Sequence, residues 1–310
     1  MSREPRFSVP GSHRTLPPHA VRQGAVTENE TAEVTLRLRP RTPLPAGIPL
    51  PGEPLAFRAT LSREAFEAAH GADPEDLRRT EDFAHAHHLT TLTEASAARR
   101  TVSVSGSLAD LQAAFGVTLH TYALDDQTFR GRSGDVSVPQ DLTGVIEGVF
   151  GLDDRPQARP HFRLAVPVGA GAAAVLASSV PAQSFTPPQL ARAHNFPANV
   201  NGKGQTIAII ELGGGYRKRD LDTYFHGLGL NSPRVTAVSV NGGRNAPTGD
   251  PGGPDGEVML DIEVAGAAAP GARIVVYFAP NTDAGFLNAV TQATHDRVRA
   301  GRDERRLGRG

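Results

Sequence analysis

The stretch TIAIIELGGG, residues 206–215, begins with an apolar run that ends on Glu211 and passes into three glycines. A second apolar run, RIVVYF, occupies residues 273–278. Short continuous runs rich in β-branched residues are typical of strands buried on both faces. Around them the sequence predicts a strand over 235–240 and helices over 187–194, 218–227, 257–268 and 285–295. Buried strands that alternate with helices predict a parallel, doubly wound α/β sheet in residues 186–296.

The predicted helix over 257–268 carries two carboxylates four residues apart, Glu257 and Asp261. This spacing places both side chains on one face of the helix, and the intervening Val258, Leu260, Ile262 and Val264 offer apolar surface for burial. Two like charges in a partly buried site titrate as a unit, with at least one pKa raised. The pair therefore suits acid/base chemistry at low pH, and the alternative is an ordinary solvated pair of acids.

A third acid, Glu211, ends the first apolar strand. Ligands of parallel sheets collect at the carboxyl ends of the strands, where Glu211 and the loop before Glu257 are expected to meet. The alternative is a strand-end acid that accepts hydrogen bonds from the amides of Gly213–Gly215, and both interpretations remain open. Glu263, two residues beyond Asp261, is predicted to face away from the pair, toward solvent or a partner.

The preceding half of the chain predicts a separate α+β module. Ser62 and Asp73 stand at positions expected for helix N-caps, and Pro74 takes the first position of the second helix. Further helices are predicted over 108–115 and 142–149, strands over 33–39, 91–94, 101–105 and 117–122, and a hairpin over 129–132 and 136–138. Short strands mixed with helices predict a compact domain over residues 31–162.

Three segments lack the pattern of a folded element. Residues 1–30 are polar and contain prolines, which predicts a flexible lead-in. Residues 163–185 are rich in Ala, Gly, Val, Ser and Pro, which predicts a linker that is accessible to a processing protease. Residues 297–310 contain six arginines and no periodic apolar face, which predicts a disordered, charged tail.

Composition narrows the functional classes. The formal net charge is −1, so no overall electrostatic attraction to nucleic acid or to a membrane surface is expected. Cysteine is absent, which excludes disulfides, thiolate metal sites and thiol redox chemistry. No apolar run is long enough for the core of a signal peptide or for a membrane span.

Three local patterns suggest other ligands and are weaker. The glycines 213–215 follow a strand but lack the G-x-G-x-x-G order of a dinucleotide site, and Asn201–Gly204 lacks the spacing of a phosphate-binding loop. His85, His87 and His88 lie on one predicted helix, where a solvated helix end is favoured over a zinc site. A nucleotide-binding enzyme is therefore the least favoured function.

Five segments together resemble the sedolisins, the serine-carboxyl peptidases, and in particular their kumamolisin branch. They are GADPEDL (71–77), TPPQLARAHNFP (186–197), IAIIELGGGY (207–216), DGEVMLDIEVAGA (255–267) and APGARIVVYFAPNTDAGFLNAV (269–290). The resemblance covers residues from about 30 to His295. It implies a ferredoxin-like α+β propeptide followed by a subtilisin-like α/β domain that works at acid pH.

The resemblance also assigns roles to individual residues. Glu257 resembles the general base that replaces the histidine of other serine proteases, Asp261 the acid that orients it, and Glu211 a supporting glutamate that extends the hydrogen-bond chain. The family's nucleophilic serine, oxyanion-hole aspartate and calcium-binding loop lie beyond the position of His295. The resemblance therefore implies that this chain has an incomplete α/β domain, no nucleophile, no calcium and no cofactor, with residues 297–310 the aberrant end of a truncated product. The only serines after residue 211 are Ser232 and Ser239, and neither follows the sharp turn that a nucleophile needs.

Three functions follow as competing hypotheses. The chain is an endopeptidase zymogen that is catalytically incomplete, a propeptide-type inhibitor or chaperone of a complete sedolisin, or a non-functional remnant. The resemblance implies a protein or peptide substrate, a contact between propeptide and peptidase domain, and secretion, although no leader is visible. Neither a nucleic-acid nor a membrane partner is expected.

Overall fold

A computed structural model describes residues 5–44, 62–92, 95–162 and 185–296. Two compact units are present: the first comprises Met1–Pro156 with Thr282–Leu287, and the second Gln157–Asn281 with Asn288–Gly310. The predicted linker falls, for residues 163–184, outside the described residues, and so does the predicted tail at 297–310.

The first unit contains nine strands, three α-helices and a 3-10 helix among its described residues. In chain order they are β1 (Arg6–Ser8), β2 (Val21–Ala25), β3 (Thr31–Leu38), α1 (Arg63–His70), α2 (Pro74–Ala86), β4 (Thr90–Thr91), β5 (Thr101–Ser107), α3 (Leu108–Phe115), β6 (His120–Leu124), β7 (Gln127–Gly131), β8 (Ser137–Pro139), the 3-10 helix (Gln140–Leu142) and β9 (Ile146–Phe150).

The main sheet of this unit is antiparallel and has the order β4-β5-β3-β9. Helix α2 connects β3 to β4, and α3 connects β5 to β9, so the order along the chain is β-α-β-β-α-β. Val34, Leu36 and Leu38 of β3 are fully or almost fully buried and pack with Leu108 and Leu111 of α3. One apolar core therefore joins the sheet to its helices.

The predicted helix boundaries are confirmed where local signals set them. The hydroxyl of Ser62 accepts a hydrogen bond from the amide of Ala65, and the carboxylate of Asp73 accepts one from Glu75. Helix α3 ends at Gly116, which has φ +61° and takes the left-handed conformation that favours glycine at this position.

Three predictions for this unit are wrong. Strands β1 and β2 lie within the segment predicted to be a flexible lead-in. The predicted hairpin is absent, because β7 pairs with β6 and β8 pairs with β1. The helix predicted over 142–149 is a 3-10 turn followed by β9: Leu142, Val145, Ile146 and Val149 are buried at helical spacing, but β9 pairs with the distant β3.

The second unit contains α4 (Pro187–Ala193), β10 (Thr206–Glu211), α5 (Lys218–Gly227), β11 (Arg234–Ser239), α6 (Pro254–Ala268), β12 (Arg273–Phe278) and most of α7 (Asp283–His295). Its three strands are parallel in the order β10-β12-β11. Ile274, Val276 and Phe278 pack in one core with α5 and α6, while Val275 and Tyr277 pack in another with Ala289 of α7. Successive side chains of β12 point to opposite faces of the sheet, and helices cover both faces.

Candidate active site

Glu211 is the last residue of β10, at the carboxyl end of the parallel sheet. It stands in register with Phe278 of β12, and its carbonyl accepts a hydrogen bond of 2.9 Å from the amide of Ala279. Only 5% of the residue is exposed, and Oε1 is buried with no hydrogen-bond partner among the described residues. Burial, together with the charges of Asp261 and Glu257, raises the pKa of Glu211 to about 8.

Glu257 and Asp261 both lie on α6, which begins at Pro254, three residues before the predicted start. Glu257 is half-buried in the first part of the helix, where the amide dipoles favour a negative charge. Asp261 is exposed as a whole residue, but partial burial of its carboxyl still raises its pKa. Since both charges act on Glu211, the structure brings the three predicted acids together.

The apolar residues between these acids do not all face the core. Val258 and Ile262 are fully buried, whereas Leu260 and Val264 are 43% and 44% exposed. The prediction that all four would be buried is therefore half right. Helical geometry explains the division, because residues four apart share a face and residues two apart do not.

The glycines after Glu211 allow β10 to approach the start of α6. Gly214 has φ +67°, and a Cβ built there would lie 2.6 Å from the carbonyl carbon of Pro254 and 2.8 Å from the amide nitrogen of Asp255. Only a residue without a side chain fits between these backbones. The alternative interpretation of Glu211 required hydrogen bonds from the amides of Gly213–Gly215. No such bond is found in the described part of the chain.

A loop before α6 is fixed by two side chains that the sequence did not single out. Oδ1 of Asn245 accepts a 2.8 Å hydrogen bond from the amide of Tyr216, and its Nδ2 donates to the Tyr216 carbonyl. Oδ2 of Asp255 accepts bonds from the amide of Gly249 at 2.6 Å and from the Thr248 hydroxyl at 3.1 Å. A cavity of about 190 Å³ lies beside this loop, lined in part by Tyr216, Asp255 and Met259.

The sequence was compared with known protein families and proteins. The family described as "Pro-kumamolisin, activation domain" matches residues 18–155. Kumamolisin of Bacillus sp. (strain MN-32) is 49% identical over 94% of this chain and 53% of its own length. Tripeptidyl-peptidase sed5 of Aspergillus fumigatus is 28% identical over 92% of this chain and 52% of its own, and sedolisin of Pseudomonas sp. (strain 101) is 26% identical over 64% and 34%.

Residues 18–155 match the pro-kumamolisin activation domain, and the chain is similar to sedolisin-family peptidases over most of its length. The predicted resemblance to kumamolisin-like sedolisins with an activation propeptide is confirmed. The chain spans about half the length of kumamolisin and of tripeptidyl-peptidase sed5, with 53% and 52% of their residues covered.

Two serines lie among the described residues of the second unit, Ser232 and Ser239. Ser232 precedes β11 and therefore lies at the amino ends of the parallel strands, whereas Glu211 lies at their carboxyl ends. Ser239 is the last residue of β11 and lies, like Glu211, at the carboxyl end of its strand. The central strand β12 separates the two residues by about 10 Å, two strand spacings. The hydroxyl of Ser239 donates a 2.6 Å hydrogen bond to the carbonyl of Gly243. Neither serine therefore lies next to Glu211.

Glu263 was predicted to face away from the pair, toward solvent or a partner, and only the solvent alternative is wrong. The residue is half-buried, and burial raises its pKa to about 7. Its charge also contributes, after burial, to a raised pKa of the Tyr224 phenol on α5. Glu263 lies two residues, about half a helical turn, beyond Asp261 on α6. Its side chain therefore faces the neighbouring helix α5 rather than open solvent.

Metal binding was tested on the arrangement of the donor residues. Within 5–44, 62–92, 95–162 and 185–296 no group of three or more His, Asp or Glu side chains is clustered closely enough to hold a metal ion. The same stretches contain no helix both long and apolar enough to cross a membrane.

Proposed function

We propose that this chain is a sedolisin in its zymogen form, a secreted serine-carboxyl endopeptidase, with the first unit as activation domain and the second as part of the peptidase domain. The single observation that carries the proposal is the buried Glu211, whose pKa is raised to about 8 by burial and by the charges of Asp261 and Glu257. Strongly perturbed acids grouped at the carboxyl end of a parallel sheet are typical of catalytic sites.

The three acids have distinct tasks in this proposal. Glu257 is the general base that accepts the proton of the attacking hydroxyl, and Asp261 orients it. Glu211 is mostly protonated at neutral pH and below, so that it adds no third negative charge to the site. A carboxylate remains a base at pH values where an imidazole is fully protonated, which explains catalysis in acid.

Two finer features of the fold belong to the same proposal. The β-α-β-β-α-β order of the first unit supports a ferredoxin-like propeptide. The parallel sheet with helices on both faces supports a subtilisin-like peptidase domain. Since Ser232 lies before the start of β11, away from the carboxyl ends of the strands, and the Ser239 hydroxyl donates to the Gly243 carbonyl, we further propose that residues 1–310 alone form no acyl-enzyme.

The proposal is tested by a chimera in which this chain replaces the matching half of kumamolisin from Bacillus sp. (strain MN-32), to which it is 49% identical. We expect the chimera to hydrolyse a denatured protein at about pH 4, and residues 1–310 alone to hydrolyse none. Glu257→Gln in the chimera is expected to lower the rate about 10²- to 10⁴-fold, the usual contribution of a general base.

Glu263→Gln is the matched control, because it removes a half-buried acid from the same helix without touching Glu257 or Asp261. Its rate is expected to stay within about threefold of the chimera. Equal rates for the chimera and its Glu257→Gln variant would refute the assignment of Glu257 as the general base. Sustained hydrolysis by residues 1–310 alone would refute the proposal that these residues form no acyl-enzyme.

A further inference from the structure

The cavity beside the loop before α6 lies between the first parts of two helices. Arg217 is the N-cap of α5 and Asp220 lies in its first turn, whereas Asp255 and Met259 belong to α6. Residues two apart on a helix point to different sides, so Asp255 faces another side of α6 than Glu257. The volume of about 190 Å³ is more than ten times the roughly 10–15 Å³ that one water needs. The cavity is therefore large enough for a small organic molecule.

One oxygen of the cavity residue Asp255 has no partner. The residue is only 6% exposed, and its Oδ2 accepts hydrogen bonds from the amide of Gly249 and the hydroxyl of Thr248. Its Oδ1 is buried, and no hydrogen-bond partner for it exists among the described residues. An unpaired buried carboxylate oxygen costs free energy, so a ligand that supplies an N–H donor is favoured here. The exposed carboxylate of Asp220 favours a positively charged donor.

A positive charge lies on the other side of the same cavity. Arg217 is exposed, and within the described ranges its guanidinium pairs with no carboxylate. A Cβ built on Gly249 would lie 3.8 Å from Nη2 of Arg217, and the amide of Gly249 donates to Oδ2 of Asp255 at 2.6 Å. The guanidinium thus lies at most roughly 9 Å from the buried acid. No side chain caps the start of either helix, so both helix dipoles also favour an anion near Arg217.

The walls between these charges are apolar and held in place. Tyr216, Pro247, Pro251 and Met259 contribute apolar surface to the cavity. The side chain of Asn245 fixes the Tyr216 backbone through two hydrogen bonds, of 2.8 Å to the amide and 3.1 Å to the carbonyl. Because the walls are already positioned, a ligand of matching shape would bind without extensive rearrangement.

We propose that this cavity binds a free α-amino acid with an apolar side chain, in its zwitterionic form. The ammonium group donates to Oδ1 of Asp255, the carboxylate accepts from Arg217, and the side chain contacts Tyr216 and Met259. One carbon atom separates the two charged groups of an α-amino acid, and a hydrogen bond of about 2.9 Å at each end completes the distance between the protein groups. This site goes beyond the proposed peptidase function and does not depend on it.

Amide NMR titrations of the full chain at pH 6 test the site with three probes. L-leucine carries both charges, L-leucinamide lacks the carboxylate, and N-acetyl-L-leucine lacks the ammonium group. We expect L-leucine to shift the amides of the lining residues Gly215, Gly249 and Gly256, with a Kd of about 1 mM or below. Each derivative is expected to bind about tenfold more weakly, because it loses one charged contact.

Asp255→Asn tests the ammonium contact. Its amide oxygen can still accept from Gly249 and Thr248, while its NH2 group puts a donor where the unpaired acceptor was. We expect L-leucine to bind about tenfold more weakly, and no more tightly than N-acetyl-L-leucine. Asp250→Asn makes the same change at an exposed acid of the same loop and is expected to leave all three affinities unchanged.

Arg217→Gln tests the carboxylate contact. The affinity for L-leucine is expected to fall about tenfold, to that for L-leucinamide, because the carboxylate no longer has a charged partner. Arg219→Gln is the matched control, since Arg219 is exposed on α5 and does not line the cavity. This variant should bind all three probes as the native chain does.

Two outcomes would overturn the inference. If about 20 mM L-leucine leaves the three glycine amides unshifted, the cavity is not an amino-acid site and water pairs with Asp255. If the native chain binds L-leucinamide as tightly as L-leucine, the ligand is a simple organic cation. Amide hydrogen exchange in β12 shows that each variant keeps its sheet, so that lost binding is not lost folding. Neither outcome affects the Glu257 dependence of the chimera, which tests the proposed function separately.

Discussion

Replacing Glu211 by Gln is expected to stabilise the second unit at pH 8 and to leave its stability at pH 4 nearly unchanged. The pKa of Glu211 is raised to about 8 in the folded chain, mainly by burial, from an ordinary value of 4.5. Between these two values the folded state holds a proton that the unfolded state has released, so the native chain loses stability as the pH rises through this window. A difference of this size corresponds to roughly 3–5 kcal/mol.

Urea unfolding at pH 4, 6 and 8, followed by hydrogen exchange in β10 and β12, measures the effect. Glutamine imitates the protonated acid, so the Glu211→Gln chain should show a nearly flat profile where the native chain declines. Asp250→Asn, at an exposed carboxylate in the loop before α6, is the control and should keep the native slope. Parallel profiles of stability against pH for the native and Glu211→Gln chains would contradict the claim that folded Glu211 keeps its proton between pH 4.5 and about 8.

Gly214→Ala is expected to destabilise the second unit by about 2–4 kcal/mol, since strain and steric overlap act together. The residue has φ +67°, and its new Cβ would lie 2.6 Å from the carbonyl carbon of Pro254. The new Cβ meets backbone atoms at the start of α6, so the loop after Glu211 must move away from that helix to make room for it. We therefore expect the Gly214→Ala chain to show a lower pKa at Glu211 as well, as water reaches the acid.

The matched control is Gly227→Ala at the end of α5, where a Cβ meets no heavy atom within 4 Å and φ is not positive. This variant is expected to be neutral or more stable by about 0.5–1 kcal/mol, because alanine narrows the unfolded ensemble. Denaturant midpoints of both variants against the native chain give the comparison. Equal stability of the Gly214→Ala and Gly227→Ala chains would show that the close approach of the two backbones is not needed.

Much of the second unit follows from local patterns in the sequence. The apolar runs at 206–211 and 273–278 are strands, and the intervening helices lie within a few residues of their predicted bounds. Glu211, Glu257 and Asp261 were located by their positions at a strand end and on one helix face, and they do interact. Parallel strands place their carboxyl ends on one edge, so this part of the site is encoded in the element order.

Other features depend on contacts between distant residues. The turn at Leu142 and the strand β9 bury the same positions as a helix would, and only pairing with β3 decides between them. The pKa of Glu263 depends on its burial. Asn281 forms hydrogen bonds with the main chain of a segment more than a hundred residues earlier, and a single asparagine after a strand carries no local signal of these contacts.

The central claim is that Glu211, Glu257 and Asp261 form one electrostatically coupled cluster. A carbon-13 NMR titration of the Glu211 carboxyl in the native chain and in the Asp261→Asn and Glu257→Gln chains tests it most directly. We expect a pKa near 8 in the native chain, a lower value in each variant, and the larger drop with Asp261→Asn, whose charge acts more strongly. Glu263→Gln should leave the titration unchanged. A native pKa near 4.5, or one unaffected by either substitution, would contradict the claim.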